Sequence, residues 1–115
     1  MSKSDLGALD EARMREKAWI GDAVLALFSR IWLLEHKDFK HQELRNKIFI
    51  RMTSNRFLSS LGEPTKVEAE IGLVYEREGL ESAFSYLEGS VVPLVNSQLA
   101  NLRKSNPGKK LADLV

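Results

Sequence analysis

Two stretches place a glycine and a carboxylate together inside an apolar helical pattern. In EKAWIGDAVLALFSRIWLL, residues 16–34, Gly21 and Asp22 stand side by side in the middle of the run. A helix-interior glycine costs about 1 kcal/mol relative to alanine. A carboxylate flanked by Ala18, Trp19, Leu25 and Ala26 gives up hydration. In EAEIGLVYE, residues 68–76, Gly72 again lies within a helical pattern, and Glu68 sits one turn before it. Both penalties have one explanation if the two helices cross closely, each glycine admitting the other backbone. Asp22 and Glu68 would then face each other across the crossing. Two carboxylates a few Å apart do not both stay ionised without a compensating cation. Oxygen donors with no nearby histidine or cysteine select a hard cation, Mg²⁺ or Mn²⁺. Mg²⁺ often takes only one or two protein carboxylates and fills its other positions with water and substrate phosphate. Each acid also has a purely structural explanation. Glu68 suits the first turn of a helix, where the dipole favours negative charge. Asp22 can pair with Arg15, one heptad earlier, or with an arginine of the next helix.

The elements that must hold these groups are all helices. Sustained period-two alternation and Asn-Gly hairpin turns are both missing. A short helix is expected from about Leu6, then a long one over 11–35. HKDFKHQ connects it to a second over 41–61, where Leu44, Ile48, Met52 and Leu58 form one stripe with Ile50, Phe57 and Leu61 beside it. GEPT ends that helix, and Thr65 is the expected N-cap of a third, 66–78, closed by Gly79. LESAFSYLE forms a fourth. Gly89-Ser90 separates it from a fifth over 91–104, with Pro93 in the tolerated first turn. The expected organisation is a single all-α domain, 1–104, followed by a loose tail, 105–115.

The first helix carries Trp19, Ile20, Val24, Leu27, Phe28, Ile31, Trp32 and Leu34 round most of its surface. A helix hydrophobic nearly all round is buried on all sides. A chain of 115 residues has little interior for such a helix and an equally apolar second one. A homodimer would cover the excess. The competing arrangement is a central helix wrapped by the other four.

With 43% hydrophobic and 29% charged residues, the composition is that of an ordinary globular domain. The absence of cysteine excludes a disulfide framework and a thiolate zinc site, and suits a reducing, cytoplasmic compartment. MSKSDLGALDEARM lacks the apolar core of a secretory signal. The longest apolar run is broken by Asp22, Ser29 and Arg30, so no membrane span is expected. The net charge of +1 hides a segregation of charge. Residues 37–56 hold Lys37, Lys40, Arg45, Lys47, Arg51 and Arg56 against Asp38 and Glu43. Residues 63–88 hold Glu63, Glu68, Glu70, Glu76, Glu78, Glu81 and Glu88 against Lys66 and Arg77. Arg103, Lys104, Lys109 and Lys110 follow with no acid among them. A basic surface beside an acidic site suits a metal-dependent enzyme acting on a polyanion.

WIGDAVLAL resembles the signature helix of the ribonuclease III family, of the form LEFLGDAVLEL. VEAEIGLVYEREGLESAFSYL resembles the family's second signature, of the form FEALIGAIYLDGGLEAA. LRNKIFIRMTSNRFLSSLG between them is similar to the intervening helix, of the type LRASLVSNKSLARIA. The resemblance covers residues 16–88 in the family's order. It implies the ribonuclease III endonuclease-domain fold, a homodimer, and Mg²⁺-dependent cleavage of double-stranded RNA. By motif, Asp22 and Glu68 take the places of metal-binding, catalytic carboxylates. Ala18 stands where most members have a glutamate, and Thr65 where they have an aspartate. Both departures resemble the mini-ribonuclease III branch, which lacks a separate RNA-binding domain and is associated with ribosomal RNA precursors. The link LGEPT, with residues 62–65 at its centre, is shorter than the loop members generally carry there. An RNA duplex would be met by Arg45, Lys47, Arg51 and Arg56 along one helix, with Arg103 and Lys104 adding reach. The alternative is a non-catalytic RNA-binding or ribosome-associated relative that keeps the fold.

Overall fold

Asp10 opens the first helix. Its side chain accepts a hydrogen bond from Arg13 N at 2.8 Å, satisfying one of the donors that every helix start leaves free. The computed structural model describes residues 9–115, and the short helix expected from about Leu6 lies outside the described residues. The described chain is all helix: α1 (Glu11–Glu35), α2 (Gln42–Met52), α3 (Asn55–Leu58), α4 (Pro64–Glu78), α5 (Leu80–Ser105) and a closing 3₁₀ turn (Leu111–Asp113). No helix among the described residues is long and apolar enough to cross a membrane.

Two glycines let α1 and α4 meet backbone to backbone. A Cβ built on Gly21 would overlap the Glu68 carbonyl and stand 2.9 Å from Gly72 N. One built on Gly72 would overlap the Lys17 carbonyl and stand 3.1 Å from Gly21 N. Gly21 therefore faces Glu68 while Lys17 faces Gly72, so the two helices run antiparallel. Lys17 Nζ reaches Glu76 at 2.6 Å and ties the same pair together one turn further on. The main core continues along the same face of α1, toward its C-terminal end. There Leu25 and Phe28 pack with Ile48 and Met52 of α2, Leu58 of α3, Ile71 of α4, and Leu87, Val91 and Val95 of α5.

Three element boundaries differ from the sequence reading, each for a physical reason. The helix expected over 41–61 breaks at Thr53–Ser54. Ser54 Oγ accepts from Phe57 N at 3.1 Å, so it N-caps a new helix, α3. The helix expected from 66 with Thr65 as its cap instead starts at Pro64. Glu63 is the cap, accepting from Thr65 N at 3.2 Å and from Lys66 N at 3.0 Å. Pro64 then takes the first helical position, where its missing N–H costs nothing. The separate helices expected around Gly89-Ser90 are one helix, α5. Ala83, Leu87, Val91, Val95 and Leu99 make an unbroken buried stripe along it, and that burial outweighs the weak propensity at the join. Pro93 lies in its interior, where a proline ring normally collides with the residue four positions back. That residue is Gly89, and both are exposed, so the carbonyl left without the proline N–H is open to water.

The segment read as a loose tail is also docked. Leu111 is buried, and Ala112 O accepts from Lys47 Nζ at 2.7 Å. The stripe expected on the second helix is buried as read, at Leu44, Ile48, Met52 and Leu58. Its neighbour Ile50 stays 66% exposed. The wrapped central helix is not what forms: Trp19, Leu27 and Leu34 of α1 all face solvent.

The glycine contacts separate two kinds of helix-interior glycine. Gly21→Ala or Gly72→Ala must push a carbonyl of the facing helix aside and should lower stability by at least about 3 kcal/mol. Gly89 has nothing within 4 Å of a built Cβ, and Gly89→Ala should raise stability by about 0.5–1 kcal/mol. Urea melts of the three variants check the contrast; equal losses at all three positions would show that the crossing is not close.

Candidate functional site

The crossing fixes the two acids. Asp22 follows Gly21 on α1 and points out along the edge of the contact, where it is exposed. Glu68, whose carbonyl faces Gly21, stands in the second turn of α4 and is half-buried. Because α4 starts at Pro64, Glu68 lies past the first turn, where the helix dipole would explain it best. The two carboxyls are in hydrogen-bonding reach of each other. Glu68 is pushed up from an ordinary 4.5 to about 7, first by burial, then by the Asp22 hydrogen bond and charge, then by the charge of Glu63.

An open cleft of about 520 Å³ surrounds the pair. Trp19, 80% exposed, stands at its rim. Thr65 comes from the first turn of α4, and Thr53 and Asn55 from the corner between α2 and α3. Arg15 also lines the cleft, but its ion pair is with Glu11 at 3.9 Å. Asp22 has no ion pair among the described residues, so neither arginine pairing offered by the sequence forms.

A helix unbroken over 41–61 gives Thr53 and Asn55 no place at the site, and the break at Thr53–Ser54 is what brings them there. The signal was Ser54, a good N-cap residue set just before another apolar turn. Among the described residues no three His, Cys, Asp or Glu side chains gather to hold a metal. The donor set is two carboxylates with neutral oxygens from Asn55, Thr53 and Thr65 around them. It fits a hard divalent cation that keeps most of its water. Such a cation would favour the ionised form of Glu68 against the burial, and then the Asp22 contact, that raise its carboxyl to about 7.

The basic residues are placed less uniformly than a single helical row suggests. Arg45 Nε donates to Phe39 O at 2.6 Å, Lys47 Nζ to Ala112 O at 2.7 Å, and Arg51 donates to Gln98 Oε1 at 3.1 Å. Arg56 is exposed on α3, and Arg103 and Lys104 are exposed in the last turn of α5. None of the six lines the Asp22–Glu68 cleft. No family model, curated protein or solved structure matches the chain.

The raised Glu68 carboxyl makes stability depend on pH. The native group titrates near 7 and the unfolded one near 4.5, so between these values the native state holds the extra proton. Stability without metal should fall as pH rises through that window, and the full penalty should be present above it. Glu68→Gln should remove this slope and stabilise the protein at pH 8 by on the order of 1 kcal/mol, a figure reduced for partial solvent screening. Parallel thermal melts from pH 4.5 to 8 in EDTA check this (the pH range brackets the shift described above). A wild-type slope matched by the variant would place the titration elsewhere.

Proposed function

We propose that the chain is a Mg²⁺-dependent endoribonuclease of the ribonuclease III type, acting on double-stranded RNA as a homodimer. The observation that carries this reading is the backbone interlock of Gly21 and Gly72, which leaves Asp22 and Glu68 paired at the lip of an open cleft. The two glycine-carboxylate motifs resemble those of that family, and the crossing supplies a physical reason for both glycines. Asp22 and Glu68 would hold the cation. When bound, Mg²⁺ stabilises charge developing on a phosphodiester and lowers the pKa of its water. Asn55, Thr53 and Thr65 offer neutral groups to orient water or a ribose-phosphate. The openness of the cleft suits a rigid duplex recognised by backbone and shape. Ribosomal RNA precursors are the substrate class that the mini-ribonuclease III resemblance favours.

A dimer accounts for the exposed face of α1. Trp19, Ala23, Leu27 and Leu34 recur at helical spacing on one face, with Trp19 80%, Leu27 44% and Leu34 61% exposed, and Ile50 of α2 adds 66% beside them. A contiguous apolar face of this kind marks an interaction site. A second copy on the same face would bury it isologously. The second reading, a non-catalytic RNA-binding relative, is favoured by one observation: the cleft has two acids, with Thr65 and Ala18 where a richer ligand set would stand.

The dimer is checked by sedimentation. Wild type should run as a dimer at micromolar concentration, and Leu27→Asp should shift it to monomer. A folded wild-type monomer would remove the dimer from the reading.

Cleavage and stability test the acids together. Asp22→Asn and Glu68→Gln should keep the fold, melt no lower than wild type in EDTA, and lose Mg²⁺-dependent cleavage of an RNA duplex by orders of magnitude. Mg²⁺ should raise the melting temperature of wild type and of neither variant. A structural role for Asp22 predicts instead a loss of about 3–5 kcal/mol on substitution. That loss, with no Mg²⁺ effect on wild type, would sink the metal site.

A further inference from the structure

A second depression lies behind the α2–α3 corner from the carboxylate cleft. The polar lining of a groove of about 560 Å³ is Lys47 and Arg51 of α2, Ser54, Arg56 and Ser60 around α3, and Gln98 of α5, set among apolar Ile50, Phe57, Leu102 and Val115. Among the described residues no aspartate or glutamate lines it. Arg51 is half-buried there, spends a guanidinium N–H on Gln98 Oε1 at 3.1 Å, and has no carboxylate partner among the described residues. A guanidinium has five donors in a planar fork. A partly buried cation with no counter-ion is costly until an anion arrives. Arg56 adds an exposed cation with no ion pair among the described residues, and the Ser60 hydroxyl adds a donor for phosphate oxygens, whereas Ser54 Oγ is committed to the corner, donating to Arg51 O at 2.8 Å and accepting from Phe57 N at 3.1 Å. Lys47 plays a different part. Its ammonium is 2.7 Å from Ala112 O and 3.6 Å from Glu43, so it braces the wall made by the docked C-terminal segment.

The corner itself links the two depressions. Thr53 and Asn55 line the carboxylate cleft, while Arg51, Ser54 and Arg56 line the groove. Interleaved residues of one turn thus form the wall between an acidic lip and a basic trough. A polyanion laid over this corner has cations under one segment and the paired acids under the next. An open trough with cations along it, rather than a closed pocket, fits a chain of phosphates better than one small anion.

We propose that this groove seats backbone phosphates of the RNA strand presented to Asp22 and Glu68. The identity of the strand rests on the nuclease reading; the affinity for phosphate rests on the groove's own charge. Gln98 becomes a site residue on this account, because it holds the Arg51 fork in place.

Binding of a labelled short RNA duplex, measured by anisotropy in EDTA so that nothing is cut, tests the groove apart from catalysis. Gln98→Glu places a carboxylate against Arg51 and should weaken binding about 10-fold. Arg56→Gln, on an exposed side chain that folding does not need, should weaken it about 3-fold and lower the salt slope by about one. Arg13→Gln, exposed at the start of α1 and outside the groove, should change affinity less than about 2-fold. Unchanged affinity in both groove variants, or losses no larger than that of Arg13→Gln, overturns the proposal. A Mg²⁺ cleavage assay on the same duplex separates it from the underlying reading. Groove-dependent binding with no cleavage by wild type removes the nuclease and keeps the groove. Cleavage by wild type with groove variants binding normally removes the groove and keeps the nuclease.

Discussion

The contact between α1 and α4 is the constraint on which the rest of the structure depends. Side chains normally hold packed helices 8–10 Å apart. At this crossing two residues without side chains bring carbonyl and amide groups of facing helices to the distance of a side-chain atom. The cost of two helix-interior glycines is met by packing rather than by propensity. One consequence is that the side chains flanking the glycines are placed by backbone, the stiffest part of the protein. The crossing therefore fixes the main-chain positions from which Asp22 and Glu68 reach each other. Lys17 and Glu76 pin the same crossing from outside, with the ammonium 2.6 Å from the carboxylate.

The remaining helices follow from burial. The α5 stripe of Ala83, Leu87, Val91, Val95 and Leu99 runs through a glycine and a proline that would end a helix with less to bury. In α2 the opposite happens. Thr53 Oγ donates to Phe49 O at 2.8 Å, and Ser54 then caps a new turn. The short helix α3 turns Phe57 and Leu58 into the core while leaving Asn55 and Arg56 outside. This local break has a functional reach beyond its size, because the same corner walls both the carboxylate cleft and the basic groove.

The surface divides its cations between structure and availability. Arg45 is tied to the Phe39 carbonyl of the preceding connection and Lys47 to the Ala112 carbonyl of the C-terminal segment. Arg30 lies over the Phe49 ring, 4.3 Å from its centroid. Arg56, Arg103 and Lys104 remain exposed. A helix can thus look uniformly basic in sequence while half of its charges are consumed in holding loops down. The apolar surface shows a similar division. Ile48 and Met52 are core, whereas Ile50, between them in sequence, joins Leu34 and Leu27 on the uncovered face.

What the sequence by itself determined was whatever depends on local period and on the rarity of certain neighbours. The all-helical class, the bounds of α1 at Glu11–Glu35 and the buried stripe of Leu44, Ile48, Met52 and Leu58 follow from apolar spacing. The closeness of Asp22 and Glu68 was legible too, because an interior glycine beside a carboxylate is costly twice and invites a joint explanation. Tertiary structure decided what local patterns leave degenerate. Whether Gly89-Ser90 breaks a helix depended on how much α5 could bury on either side of it. Whether Thr65 or Glu63 caps α4 depended on where the chain arrives from α3 and on Pro64 having no N–H to spend. Whether residues 105–115 hang free depended on a seat for Leu111 that α2 and α5 make together. Which basic residues are spoken for depended on carbonyls far away in sequence, such as Ala112 O for Lys47. These outcomes are set by contacts between distant segments, and a single sequence carries no local record of the distances that decide them.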